Sequence, residues 1–164
     1  MPPTSSHSLT IATLLSPQAI RVPLVATERK AALEELVDAL AATGAVTDAE
    51  LFKRSVWERE QQRSTGIGEG LAIPHGKCAG IIRPAITIGR PAAPMEFCAI
   101  DKKPVRLIVL LASPPDRIAD HIQVLHRMSR LFSSVVTRER VCLAQDAAAL
   151  YLELCQADAS LADR

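Results

Sequence analysis

The side chain best suited to chemistry in this chain is the imidazole of His75. It stands between Pro74 and Gly76, directly after a run from Gly66 to Gly70 in which glycines alternate with other residues. A neutral imidazole is a nucleophile at physiological pH, and glycines let backbone amides approach and surround an anion. We therefore predict that His75 accepts and releases a phosphoryl group. The residues predicted to lie around that phosphate are Gly66, Gly68, Gly70, Gly76 and Lys77.

Two more side chains could assist a phosphoryl group at His75. Phosphoryl transfer needs aligned reactants and positive or hydrogen-bonding groups around the phosphate oxygens. Arg59 precedes the glycine run near the end of a predicted helix, and His121 follows a long apolar segment in the first turns of another helix. From the residues alone, His121 is equally compatible with an ordinary half-buried histidine bonded to a carbonyl. His126 lies five positions later and points away from His121 on a helix, so we interpret it as structural or solvated.

Other chemistries at His75 have weaker support. A zinc site could combine His75, Cys78 and His121, but the spacing matches no common zinc motif, and Lys77 would repel the cation. A hydrolase built on Cys78 and His75 lacks a third residue that would orient the histidine. A glycine run of this kind can also be only a turn. No metal site is therefore predicted.

Length and composition limit the class of protein. The chain has 164 residues, of which 48% are hydrophobic, so we expect one globular domain. A net charge of +1 and an aromatic content of 3% give no reason to expect a nucleic-acid partner. No apolar run approaches the ~20 residues of a membrane span, and the first residues do not resemble a signal peptide, so we expect no membrane insertion and a cytoplasmic location. The cysteines show no paired spacing and are predicted to be reduced and half-buried: Cys78, Cys98, Cys142 and Cys155.

The elements that must position these residues alternate between strands and helices. Such a pattern is typical of an α/β fold, and we predict a single domain with a central mixed sheet flanked by helices on both faces. Because proline cannot donate to a sheet, the strand that contains Pro74 should end at His75. The predicted strands are 20–25, 71–75, 85–89, 95–98 and 105–112.

Cap residues and apolar periodicity predict the helices. The residues predicted to cap the longer helices are Thr27, Thr47, Asp116 and Asp146, and a short helix follows Thr137. The apolar stripe predicted for the helix after Asp116 consists of Ile118, Ile122, Leu125 and Phe132. The domain is predicted to span 9–156, with a disordered tail at 1–8 and a frayed end at 157–164.

Residues 64–77 resemble the active-site signature of the type-2 enzyme IIA domain of the bacterial phosphotransferase system. This family contains the fructose–mannitol and the nitrogen-regulatory IIA proteins. The resemblance covers about residues 11–156, and its most specific part is the segment around His75. Further matching positions, in the same order along the chain, are 94–97, Asp101, 104–105 and 120–122.

The resemblance implies a phosphocarrier that needs no cofactor. His75 would take a phosphoryl group from the phosphohistidine of a small histidine phosphocarrier protein. It would pass the group to a cysteine of an enzyme IIB domain, or its phosphorylation state would control the binding of regulatory target proteins. By the same resemblance, Arg59 would offset the charge of the phosphoryl dianion, and His121 would donate a hydrogen bond to it.

The nitrogen-regulatory branch is the predicted one, because this domain carries no fused transporter, IIB or carrier module. The alternative is the sugar-transport branch, since fructose and mannitol components can also be separate chains. An alternative of another class is a regulatory binding module that no longer transfers phosphate. The chain departs from many relatives at 78–82, which is apolar where they carry acidic residues, and Arg63 adds charge before the signature.

Overall fold

A mixed sheet of six strands lies at the centre of the protein in the computed structural model, which describes residues 9–162. The strands are β1 (Leu15–Leu24), β2 (Gly66–Gly68), β3 (Leu71–Ala72), β4 (His75–Lys77), β5 (Ala85–Pro91) and β6 (Leu107–Ser113). The helices are α1 (Ile11–Leu14), α2 (Arg29–Ala41), α3 (Ala49–Gln62), α4 (Ile118–Phe132), α5 (Val135–Leu143) and α6 (Ala147–Ala162). The predicted fold class is confirmed, and the predicted tail at 1–8 lies outside the described residues.

β6 is the central strand of the sheet. It runs antiparallel to β5, which pairs parallel with β1, and its other edge pairs parallel with β3 and β4. β2 pairs antiparallel with β3, so the strand order is β1-β5-β6-β3-β2, which the sequence pattern does not specify. Every residue of β6 is buried, as expected for an apolar strand covered on both faces.

The two faces of the sheet carry separate hydrophobic cores. Side chains of β6 alternate between them, because successive residues of a strand point to opposite faces. Ile108 packs in the cluster that contains Phe52 of α3, whereas Val109 packs in the cluster that contains Met128 of α4. We call these the α3 face and the α4 face of the sheet.

The first long helices begin at other positions than predicted. α2 begins at Arg29 and no side chain caps it, so Thr27 is wrong as its cap. α3 is capped by Asp48, whose carboxylate accepts a hydrogen bond from a backbone amide in the first turn. The hydroxyl of the predicted cap, Thr47, instead donates to the carbonyl of Gly80 at 3.1 Å and is not available to the helix.

α4 buries only part of the predicted stripe: Phe132 is buried and Leu125 is half-buried, but the two isoleucines are not buried. Ile118 and Ile122 are 56% and 60% exposed, whereas His121, Val124 and Met128 are buried. A helix packed on one side buries residues three and four positions apart, and here residues 121, 124 and 128 occupy that side. The isoleucines therefore face the solvent, and a histidine takes a position under the sheet.

Three smaller predictions have mixed outcomes. Asp116 does not cap α4, whose first turn has no side-chain cap. The predicted strand at 95–98 is reduced to an isolated bridge to Val105. Asp146 is confirmed as a cap, because its carboxylate accepts a hydrogen bond from the amide of Ala149 at 2.8 Å at the start of α6.

The C-terminal helix is longer than predicted. α6 continues to Ala162, so the predicted frayed end at 157–164 is wrong where the structure describes it. The reason is a tertiary contact: buried Asp158 accepts a hydrogen bond from the amide of Ile11 at 2.8 Å and pairs with the guanidinium of Arg127 on α4. These contacts join α1, α4 and α6 and hold the last turns of α6 in place.

Two composition-based predictions concern the cysteines and membranes. All four cysteines are free, but only Cys142 and Cys155 are half-buried, whereas Cys78 is buried and Cys98 is exposed. Among the helices of residues 9–162, none is both long enough and apolar enough to cross a membrane. The cytoplasmic location stays a prediction.

Candidate functional site

The strand that carries His75 runs along the edge of β6. β4 pairs parallel with β6, with His75 opposite Leu111. Pro74 has no amide hydrogen, and it lies in the gap between β3 and β4, but its carbonyl accepts a hydrogen bond from the amide of Leu111 at 2.9 Å. The strand therefore resumes and ends at Lys77, and the prediction that it ends at His75 is wrong.

β4 directs His75 towards the α4 face. Paired residues on neighbouring strands point to the same face of a sheet, and Leu111, the partner of His75, packs on the α4 face. Lys77 and its partner Ser113 share that face, two residues further along. Gly76 points to the α3 face, where an added Cβ would lie 3.0 Å from the nearest side chain of α3.

The imidazole of His75 is held with Nε2 free. Its Nδ1 lies 3.0 Å from the carbonyl oxygen of Ile73, and because a carbonyl only accepts, Nδ1 carries the hydrogen. Nε2 has no hydrogen-bond partner within residues 9–162. Partial burial, together with the positive charges of Arg59 and Lys77, lowers the pKa of His75 below its ordinary value of 6.5. At neutral pH the ring is therefore uncharged, with a lone pair on Nε2.

His121 lies beside His75. The two ring centroids are 5.4 Å apart, and the ring planes meet at 62° in an edge-to-face contact. Burial, with smaller contributions from Lys77 and His75, lowers the pKa of His121 to about 4. The partner of its Nδ1 is the buried hydroxyl of Ser113, 2.7 Å away, and not a carbonyl. The structure thus brings the two predicted histidines together, both uncharged at neutral pH.

An open cleft of about 360 Å³ exposes His75 to solvent. Arg59 and Arg63 both line it, and the guanidinium of Arg59 donates to the carbonyl of Arg63 at 2.9 Å. Among the described residues that line this cleft, none is acidic. The other lining residues include Thr65, Gly66, Ile73, Ile100, Leu125 and Ser129. The cleft is therefore lined by positively charged and by apolar side chains, which suits the binding of an anion.

The predicted phosphate residues are only partly at the cleft. Gly66 lines it, and Lys77 shares the face of His75 and lowers the pKa of both histidines. Gly68 and Gly70 have φ of +100° and +77° and form the turn between β2 and β3, away from the cleft lining. Gly76 packs against α3. Most of the glycine run thus serves the hairpin and the packing of β4.

Glu60 is a site residue that the sequence analysis did not identify. It is buried next to Arg59, accepts the amide of Thr65 at 3.1 Å and the hydroxyl of Thr65, and lies 3.7 Å from Nη1 of Arg29. Its charge also acts on His75, where it opposes the effect of Arg59 on the pKa. A charged residue on a helix usually faces solvent, so the sequence does not predict that Glu60 is buried. Its position next to Arg59 is the only feature of the sequence that could have pointed to it. Glu60 fixes the segment that carries Thr65 at the wall of the cleft.

Asp101 anchors the loop that carries Ile100, a residue of the cleft lining. Its carboxylate accepts hydrogen bonds from the amides of Glu69 and Lys103, both at 3.0 Å, and these bonds lower the pKa of Asp101. The amide of Ile100 donates to the carbonyl of Gly66 at 3.0 Å. The loop that carries Ile100 is therefore attached to the β2–β3 hairpin, which places this apolar side chain beside the cleft.

The zinc grouping considered from the sequence is not formed. Cys78 packs in the core of the α3 face, whereas His75 and His121 lie on the α4 face. Burial also raises the pKa of the Cys78 thiol, which disfavours the thiolate that a metal site or a nucleophile needs. Cys78 is thus a packing residue.

Comparisons with known proteins agree on one family. Residues 13–156 match the family described as "Phosphoenolpyruvate-dependent sugar phosphotransferase system, EIIA 2". A nitrogen regulatory protein of Bradyrhizobium diazoefficiens is 32% identical over 152 residues, which are 93% of this chain and 99% of that protein. The crystal structure of nitrogen regulatory protein IIA-Ntr from Neisseria meningitidis superposes with a TM-score of 0.81 at 29% identity, over 88% of this chain and 98% of that one.

A sugar-specific relative is equally similar in sequence. The PTS system fructose-specific EIIABC component of Bacillus subtilis is 33% identical over 135 residues, or 82% of this chain. These residues are only 21% of the Bacillus protein, so the chain spans about a fifth of its length. Sequence similarity therefore does not separate the regulatory from the sugar-specific relatives.

Proposed function

The chain belongs to the EIIA 2 family of the phosphoenolpyruvate-dependent sugar phosphotransferase system, and on this premise we propose that it carries a phosphoryl group on Nε2 of His75. The observation that supports this proposal best is the contact of two neutral imidazoles whose ring centroids are 5.4 Å apart, one of which, His75, lines an open cleft with positively charged side chains. The proposed donor is the phosphohistidine of a small histidine phosphocarrier protein.

The transfer exchanges one N–P bond for another. The lone pair on Nε2 of His75 forms a bond to phosphorus as the N–P bond of the donor breaks, and the donor imidazole keeps the electron pair. The ring of His75 becomes positively charged when it is phosphorylated, and its Nδ1–H stays bonded to the carbonyl of Ile73. This hydrogen bond stabilises the charged ring. No cofactor is needed, because the donor is already an activated phosphoramidate.

The groups around His75 are suited to hold the product. Arg59 lines the same cleft, and only one of its donors is used by the carbonyl of Arg63, so its guanidinium can offset the charge of the dianion. His121 would donate a hydrogen bond to a phosphate oxygen from Nε2. Lys77 adds a second positive charge on the same face of β4.

The test is incubation of the protein with a charged histidine phosphocarrier, followed by intact mass. We expect an acid-labile gain of one phosphoryl group on the wild type and no gain on His75→Ala. His126→Ala is the matched control, because His126 is an exposed histidine on α4 and lies outside the cleft lining. A wild type without the adduct, or a His75→Ala variant with it, would contradict the proposal.

Within the family, we assign the chain to the nitrogen-regulatory type, which acts through protein–protein contacts that depend on phosphorylation. The support is the near full-length match to the Bradyrhizobium protein. The sugar-transport alternative, in which the group passes to a cysteine of a IIB domain, is favoured by the Bacillus fructose-specific relative. Restored uptake of a labelled sugar in cells that lack their own IIA would overturn the regulatory assignment.

A binding module without phosphoryl transfer is the alternative of another class. The open cleft with exposed isoleucines nearby is compatible with a docking surface. Affinity for a regulatory partner that is the same in the wild type, His75→Ala and His75→Asp would favour this alternative. Affinity that changes with the charge at position 75 supports the phosphocarrier.

A further inference from the structure

Ser113 is the last residue of β6 and the partner of Lys77 in the sheet. Its side chain is on the α4 face and completely buried. The hydroxyl oxygen lies 2.7 Å from Nδ1 of His121, and within residues 9–162 this is its only hydrogen bond. Neither composition nor spacing marks this serine, because it ends an otherwise apolar strand.

The direction of this hydrogen bond follows from the burial. A hydroxyl can donate to an imidazole nitrogen or accept from it. If Ser113 accepted from Nδ1–H, its own proton would have no acceptor among the described residues at a fully buried position, which is costly. The hydroxyl therefore donates, Nδ1 of His121 accepts, and the single proton of the neutral ring is on Nε2.

The two histidines therefore have different tautomers, because Nδ1 of His75 faces a hydrogen-bond acceptor and Nδ1 of His121 faces a donor. The carbonyl of Ile73 forces the proton of His75 onto Nδ1 and leaves a lone pair on Nε2. The hydroxyl of Ser113 takes the lone pair of Nδ1 on His121 and leaves a proton on Nε2. One ring is prepared as a nucleophile and the other as a hydrogen-bond donor, although both are neutral.

We propose that Ser113 is a positioning residue for phosphoryl transfer, which fixes the Nε2–H form and the orientation of His121. This inference rests on the proposed function, because His121 acts on a phosphoryl group carried by His75. Without the hydroxyl, the ring of His121 can rotate or place its proton on Nδ1, and a phosphate oxygen then loses a donor.

Two measurements test this role. NMR of the histidine side chains in nitrogen-15-labelled protein should show a single tautomer of His121 at neutral pH, with the proton on Nε2 and with Nδ1 accepting a hydrogen bond. Single-turnover phosphorylation of Ser113→Ala by the charged phosphocarrier should be slower by about three- to tenfold, the loss expected for one hydrogen bond. The same final amount of phosphohistidine should form, and Ser113→Thr should restore the rate because it keeps the hydroxyl.

Thr87→Val is the matched control. Thr87 is also a fully buried hydroxyl in a neighbouring strand, and it donates to the carbonyl of Ala19 without contact to either histidine. This variant should lose stability but keep the wild-type transfer rate. A Ser113→Ala variant that transfers at the wild-type rate, or a wild type with the proton on Nδ1 of His121, overturns the assignment. The NMR spectrum of the wild type tests the protonation of His121 even if a Ser113 variant does not fold. A wild type that takes up no phosphoryl group refutes the proposed function, which is a separate outcome.

Discussion

The buried His121 should make the stability of this protein fall on acidification. Its pKa in the folded state is lowered from the ordinary value of 6.5 to about 4. Between these two values the unfolded chain binds a proton that the folded protein excludes, so the free energy of unfolding rises with pH. The stabilisation is complete above pH 6.5 and is lost as the pH falls towards about 4. At about 1.4 kcal/mol per pH unit, this window between 6.5 and about 4 corresponds to about 3 kcal/mol.

The perturbation is His121→Gln, which removes the titration and keeps an acceptor for the hydroxyl of Ser113. Urea unfolding of both proteins at several pH values from about 7.5 to about 4 gives the free energy of unfolding. We expect the wild type to lose about 3 kcal/mol more than the variant over this window. His75 and the carboxyl groups titrate in both proteins, so the difference isolates position 121.

The control for this experiment is His126→Gln, which removes an exposed histidine from the same helix. Its pH dependence should follow that of the wild type. Parallel curves for the wild type and His121→Gln would refute the reasoning, because they would mean that His121 is protonated equally easily in the folded and unfolded states.

Three further predictions concern the surroundings of His75. Arg59→Lys should slow phosphoryl transfer at least about tenfold in single-turnover assays, because an ammonium cannot replace the planar fork of guanidinium donors; an unchanged rate contradicts its role. Glu60→Gln should cost about 1–3 kcal/mol and lower the melting temperature by several degrees, whereas the exposed Glu58→Gln on the same helix should not; equal melting temperatures contradict the buried network. Gly76→Ala should cost about 1–3 kcal/mol in urea unfolding, because its Cβ would lie 3.0–3.1 Å from side chains of α3; a fully stable variant that transfers slowly would instead indicate a role in holding phosphate.

Much of the fold follows from local pattern. The continuous apolar segment predicts β6 as a strand covered on both faces, and all its residues are buried. Asp146 is confirmed as the cap of α6. The pattern fails for the first half of α4, where Ile118 and Ile122 look like core positions but are exposed, although Phe132 of the same predicted stripe is buried. Periodicity identifies a helix, but the sheet it packs against decides which of two possible faces is buried.

Some residues of the candidate site were likewise identified from the sequence, and others were not. His75 stands out from its neighbours in the chain, and the resemblance of its segment extends to Arg59 and His121. Glu60 could not be predicted as a buried residue, because its partners come from other parts of the chain: Thr65 across a turn and Arg29 from α2. The prediction that Gly68 and Gly70 surround a phosphate has a related difficulty. These glycines form the turn between β2 and β3, and the pairing of those strands is a feature of the folded sheet.

The sequence by itself determined the reactive group, the alternation of strands and helices, and the family, since these depend on residue type and short spacing. The tertiary structure decided which nitrogen of each imidazole is free. That depends on a carbonyl two residues before His75 and on Ser113, eight residues from His121 at the end of a different element. Burial removes water as a competing partner of Nδ1 of His121, whereas at the half-buried His75 the carbonyl of Ile73 keeps the proton on Nδ1. Residue types therefore specify which groups can react, but tertiary packing specifies which nitrogen of each histidine carries the proton.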